Sequence, residues 1–170
     1  MEGCGGIGGI AMSWKEGYLQ QAKSDYETYR ILTANKVKIC HRLHYLQMAS
    51  EKLAKSFMCR GSQRPTRLTH YVLVRFLQTT KKQPGISRLM NDNQSVYCSY
   101  IDGLLEIAKR VEDLAPSGGD FCKLNPEYPW EDAFGVVQIP AKYDFHEFRP
   151  TDLVKLQTLI DNLFRIADKI

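Results

Sequence analysis

The run His44-Tyr-Leu-Gln-Met-Ala-Ser-Glu-Lys-Leu-Ala-Lys-Ser-Phe57, followed by Thr69-His70, decides how this chain folds. It carries the strongest helical signal in the sequence. At 100° per residue, Ile39, Leu43, Leu46, Leu53 and Phe57 gather on one side. His41, His44, Met48, Glu51, Lys52 and Lys55 gather on the other. A stripe of His, Glu and Lys behind an apolar stripe is either a solvated face or the wall of a binding groove.

Other helices are expected on both sides of this run. Ser13-Trp-Lys-Glu16 forms a capping box for a first helix reaching about Leu32, with Trp14, Tyr18, Ala22, Tyr26, Tyr29 and Leu32 on one face. Asn35 is placed to cap the second helix, which extends to Arg60 with Gly61 as its stop. After a loop stiffened by Pro65, a third helix is expected over Leu68–Gln78, opened by Thr69-His70, and Gln83-Pro84-Gly85 breaks the chain. A fourth helix spans Asn93–Leu114, with Tyr97, Tyr100, Ile101, Leu104, Ala108 and Val111 facing inward. A last helix runs from Asp152 to Ala167, with Leu153, Leu156, Ile160, Leu163 and Ala167 facing inward.

Between these last two, residues 115–150 hold most of the prolines together with Phe121, Tyr128, Trp130, Phe134, Tyr143, Phe145 and Phe148. A connection this long is expected to be ordered and to wrap the bundle, with Val136-Val-Gln-Ile139 as a short extended piece. No repeat and no βαβ alternation occurs. The expectation is an all-α, up-and-down bundle of about five helices: a flexible Gly-rich tail over 1–12 and a single domain over 13–170.

Bulk composition narrows the function classes. The chain has 170 residues, a net charge of +4 and a pI near 8.8, which is mildly basic and short of a dedicated nucleic-acid binder. No apolar run has the length of a membrane span, and no signal peptide is read. Five scattered cysteines without a CxxC point to reduced thiols in a cytoplasmic protein. The glycines from Gly3 to Gly9 lack the preceding strand that a phosphate loop needs. His41 and His44 stand at i,i+3, but nothing supplies further ligands at known spacing, so no metal or other cofactor is expected.

Two motifs have both a plain and a functional reading. Glu51 and Lys55 at i,i+4 are either a surface ion pair or, with Lys52, a phosphate-facing group. His70 is either a core imidazole or a titratable group at a groove. Arg60, Arg64 and Arg67, with Lys81-Lys82, are either a solvated basic cluster or a phosphate contact.

Trp14, Ala22-Lys-Ser-Asp25, His44-Tyr-Leu-Gln47-Met-Ala49-Ser-Glu51-Lys52-Leu-Ala-Lys55 and Thr69-His70, taken in order, resemble the HEPN (higher eukaryotes and prokaryotes nucleotide-binding) family over about residues 13–114. The resemblance implies a helical bundle, often a homodimer, whose groove serves a nucleotide, an RNA or a nucleotidyltransferase partner. The implied binding surface is His44, Gln47, Glu51, Lys52, Lys55 and His70. Many HEPN proteins cut RNA through an Arg-x4–6-His motif, and Arg64 with His70 is the pair here at a suitable distance. Pro65 follows that arginine where the family carries a polar residue, and the pair precedes helix three instead of opening a later helix. A non-catalytic binding module is therefore expected. The alternatives are a metal-independent ribonuclease using Arg64 and His70, and a purely structural partner subunit.

Overall fold

The computed structural model describes residues 12–59, 70–90, 93–115 and 123–167. The Gly-rich tail before Met12, the basic residues Arg60, Arg64 and Arg67, the Gly61 stop, Thr69 and Phe121 lie outside these residues. The described chain is mostly helical. Its order is α1 (Trp14–Ala34), α2 (Ile39–Met58), α3 (Leu73–Thr80), α4 (Pro84–Leu89), α5 (Gln94–Asp102), α6 (Leu105–Glu112), β1 (Trp130–Glu131), β2 (Val137–Gln138), a 3-10 turn (Pro140–Lys142) and α7 (Pro150–Ala167). That makes seven α-helices among the described residues, where about five were expected.

The capping box forms as read: the Glu16 amide donates to Ser13 Oγ, and Glu16 Oε2 accepts from the Ser13 amide. Asn35 corrects its assignment. It closes α1, its backbone and side-chain N–H groups both donating to the Ile31 carbonyl, while α2 begins after Lys38 with no side-chain cap. Lys36, at φ 52°, reverses the chain between them. The pairing of α1 with α2 is the most extensive helix contact in the molecule, and α2 also meets α3, α6, α7 and the 3-10 turn. Being surrounded, α2 buries small residues where neighbours come close (Ala49, Ser50, Ala54 and Ser56) beside Leu43, Leu46 and Leu53. Ile39 and Phe57, expected on the core stripe, are only half-buried, and Trp14 on α1 is 43% exposed.

Three boundaries differ from expectation for local reasons. Pro84 starts α4 instead of only breaking the chain, because the first helical position needs no N–H. The expected fourth helix is split at Gly103 and Leu104, whose amides bond back to Ser99 and Ile101; glycine is among the least favoured residues inside a helix. Its apolar stripe survives the break, with Tyr97, Ile101, Leu104, Ala108 and Val111 all buried. Helix α3 begins at Leu73, so His70 precedes the helix instead of opening it.

The segment before α7 folds into an antiparallel hairpin, pairing Trp130 with Gln138 and Glu131 with Val137. Trp130, Phe145 and Phe148 are buried, and the Tyr143 ring stands edge-on to both Trp130 and Phe145. Burial and the Glu147 carboxylate push the Tyr143 hydroxyl up to about 12. Helix α7 closes the core with Leu156, Leu159, Ile160, Leu163 and Ile166. No helix among the described residues is long and apolar enough to cross a membrane.

Candidate functional site

The polar side of α2 is only partly turned to bulk water: His41 at its start is exposed, whereas its later turns face inward. Lys55 and Gln47 are buried, and Glu51 is the hub that holds them. Gln47 Nε2 donates to Glu51 Oε2 at 2.9 Å, and Lys55 Nζ donates to Oε1 at 2.5 Å. From outside the helix, His70 Nδ1 lies 2.9 Å from Oε2. A carboxylate only accepts, so Nδ1 carries the proton, and Nε2 is left for other chemistry. The exposures grade outward: Lys55 and Glu51 side chains are 10% and 11% exposed, His70 is 50% exposed. Below, the Lys55 ammonium sits 5.8 Å from the centre of the Tyr18 ring on α1.

Burial alone would push the Glu51 carboxyl up. Its bonds from Lys55, His70 and Gln47, with the Lys55 charge, outweigh that and hold it below its ordinary value. Glu51 is thus an ionised, triply held carboxylate that fixes the orientation of an accessible imidazole.

The start of α3, next to His70, is held by a second carboxylate. Glu112, at the end of α6, accepts from the Leu73 amide at 2.6 Å and the Val74 amide at 3.3 Å, satisfying donors at an N-terminus that has no side-chain cap of its own. Burial raises the Glu112 carboxyl, and the charges on Asp113 and Glu51 add to that, against the lowering effect of the two amides. Beside it, Lys123 donates to the Tyr71 hydroxyl at 2.9 Å, lies 5.1 Å over that ring and pairs with Asp113 at 3.6 Å. Glu112 thereby anchors the segment that presents His70 and Tyr71.

Of the six side chains expected to share a binding surface, four come together: Gln47, Glu51, Lys55 and His70. Lys52 is instead paired with buried Asp25 of α1, which also accepts from Gln21. His44 turns to Glu127 at the foot of the hairpin, 3.5 Å away. Lys81, expected in a basic cluster, pairs with Asp102 instead. The ion pair of Glu51 and Lys55, read as either a surface pair or a phosphate-facing group, is a nearly buried pair.

Tyr18, Glu112, Tyr71 and Lys123 were missed by sequence reasoning. A signal existed for one of them: Glu112 continues the buried row Leu104–Ala108 at intervals of four, and a carboxylate on a core stripe needs a partner. Tyr71 and Lys123 meet across 52 positions with no local pattern to announce it.

Among the described residues no group of three or more His, Cys, Asp or Glu could hold a metal ion. No known protein family, curated protein or solved structure matches the chain.

Proposed function

We propose that the chain is a HEPN-type up-and-down helical domain acting as a non-catalytic binding module, taking a nucleotide, an RNA or a nucleotidyltransferase-type partner at the mouth of the Glu51 cluster. One observation carries this reading. The polar residues of the resembling motif, scattered from Asp25 to His70, are paired with one another as Asp25 with Lys52 and as Gln47–Glu51–Lys55–His70. Residues that merely solvate two helix faces and the segment before α3 have no reason to converge in this way.

The same pairing favours binding over catalysis. Both lysines are already neutralised by carboxylates, so neither is free to stabilise a developing phosphorane charge. His70 remains the accessible donor or acceptor, held in one orientation by Glu51. The ribonuclease alternative would need Arg64 as the group that supplies the charge, with His70 moving the proton.

The test is thermal unfolding of the wild type and His70→Ala with a panel of mononucleotides and a short single-stranded RNA. A ligand at 100 times its Kd adds about 2.7 kcal/mol, which for a chain of this size raises Tm by roughly 5–10 °C. His70→Ala abolishes that shift while leaving the unliganded Tm near wild type. RNA cut by the wild type and spared by His70→Ala would replace this reading with the nuclease. No shift with any probe, alongside co-purification of one stoichiometric protein, would replace it with the structural subunit.

A further inference from the structure

Helices α1 and α7 meet through aromatic side chains, and beside them lies an open groove of about 680 Å3, within the roughly 300–1,000 Å3 of small-molecule sites. Packing fixes its floor. The Tyr26 and Tyr29 rings stack at 5.8 Å, Phe164 of α7 lies 5.5 Å from Tyr26, and Gln157 of α7 donates to the Tyr29 hydroxyl. Both tyrosines are buried, whereas Ile31 is 54% exposed and carries the apolar surface out to the mouth of the groove.

The polar point of that floor is the Tyr26 hydroxyl. Its contact with the Gln157 carbonyl is 3.4 Å, long for an O–H donor. Burial and the Asp161 carboxylate hold the proton on it, against the charge of Arg30. A donor poorly served by its own chain thus lies within reach of a carboxylate from α7 and a guanidinium from α1.

Four charges stand at the rim: Lys23, Glu27 and Arg30 on successive turns of α1, and Asp161 on α7. They cancel. A simple anion gains at Lys23 and Arg30 and loses at Glu27 and Asp161, and a simple cation meets the reverse. A molecule that carries both signs a few bonds apart turns each charge to its opposite. Among the described residues Arg30 and Asp161 form no ion pair with each other, although both act on the Tyr26 hydroxyl. We propose that this groove binds a free α-amino acid with an apolar side chain. Its carboxylate meets Arg30 and the Tyr26 hydroxyl, its ammonium meets Asp161, and its side chain covers Phe164 and Ile31. Arginine suits the carboxylate because its planar fork donates two parallel hydrogen bonds. An internal stretch of polypeptide presents neither charge, and a nucleotide presents only the negative one, so both fit this rim less well.

The experiment is isothermal titration calorimetry of the full chain with L-phenylalanine as the probe. Two analogues accompany it: L-phenylalaninamide, which lacks the carboxylate, and N-acetyl-L-phenylalanine, which lacks the ammonium. L-phenylalanine binds saturably, and each analogue binds about tenfold or more weakly by comparison. Arg30→Gln and Asp161→Asn replace exposed side chains, and circular dichroism verifies that each folds. Each weakens L-phenylalanine about tenfold or more, whereas Lys109→Gln, which removes an exposed cation from α6, leaves the affinity at the wild-type value. In Arg30→Gln the advantage of L-phenylalanine over its amide disappears, and in Asp161→Asn its advantage over the N-acetyl form does. No binding of L-phenylalanine, equal binding of either analogue to the wild type, or an affinity unmoved by Arg30→Gln and Asp161→Asn would each overturn the proposal. The groove shares no residue with the Glu51 cluster, so the result is independent of the nucleotide test.

Discussion

Two regions of this molecule reverse the usual distribution of side chains, in opposite directions. Around α2 and α3, charged and polar groups lie inside: Glu51 and Lys55 are nearly buried, as are Asp25 and Glu112. At the β1–β2 hairpin, apolar groups lie outside: Phe134, Val136 and Val137 face solvent from an ordered turn. The first arrangement is self-sufficient, because every buried carboxylate there has its donors on the same chain. The second leaves apolar surface uncovered. Cooperative stability is expected to concentrate in the first region, and local opening of the turn to be felt little by the core.

The sharpest way to break the contrast is Glu51→Ala. It strands the Lys55 ammonium at a site where its side chain is 10% exposed, and it leaves Gln47 and His70 without their acceptor. Removing one partner of a buried pair costs about 3–5 kcal/mol, so Tm should fall by roughly 10 °C in a calorimetric scan. An unchanged Tm would mean that water reaches Lys55 freely and that the cluster is not interior.

The double variant Glu51→Leu/Lys55→Met separates stability from function. With both charges replaced by apolar groups of similar size, nothing is stranded, and most of the lost Tm should return. Nucleotide or RNA binding should not return, since His70 has lost the carboxylate that orients it. Recovery of both together would show that Glu51 contributes only to folding.

How far the sequence disclosed these two regions depends on the range of the forces involved. The stripes on α2, α5–α6 and α7 were legible because helical periodicity is local, and so was the Ser13–Glu16 box. The cluster was legible through motif order, but its burial was not. Nothing along α2 tells that α1, α3, α6 and α7 all pack against this helix, with Tyr18 of α1 and His70 beside Glu51 and Lys55, which makes a solvated pair a nearly buried one. The separation of Lys52 and His44 from that cluster was hidden for the same reason: their partners, Asp25 and Glu127, come from distant elements. The hairpin was half-visible. Val136–Ile139 reads as extended, whereas the exposure of Phe134 depends on side-chain bonds made by Asp132 that no periodicity encodes.

A smaller effect distinguishes the two nearly buried carboxylates Glu51 and Glu112, which shift in opposite directions. Glu51 titrates below its ordinary value of 4.5 in the fold, so its stabilisation is complete above that pH and fades as pH falls through the lowered value. Glu112 titrates above 4.5 in the fold, so it opposes folding at neutral pH, and that opposition lessens as pH falls toward 4.5. Against matched variants, the stability advantage of wild type over Glu51→Gln should shrink on acidification below about 4.5. Its advantage over Glu112→Gln should grow between neutrality and that point. Urea midpoints at a series of pH values measure both. Two curves with the same sign would show that the carboxylates titrate as equivalent surface groups.

The smallest global effect belongs to Asp132→Ala, and its value lies in being small. Asp132 is held below its ordinary pKa chiefly by the Val136 amide, with help from Gln138 and the Phe134 amide, yet it holds only the turn. The core beneath the turn rests on Trp130, Phe145 and Phe148, which the substitution does not touch. Tm should therefore stay within the scatter of repeat scans while hydrogen exchange at the Phe134 and Val136 amides accelerates locally. A fall in Tm as large as that of a buried-pair substitution would show that the turn belongs to the cooperative core instead of standing on it.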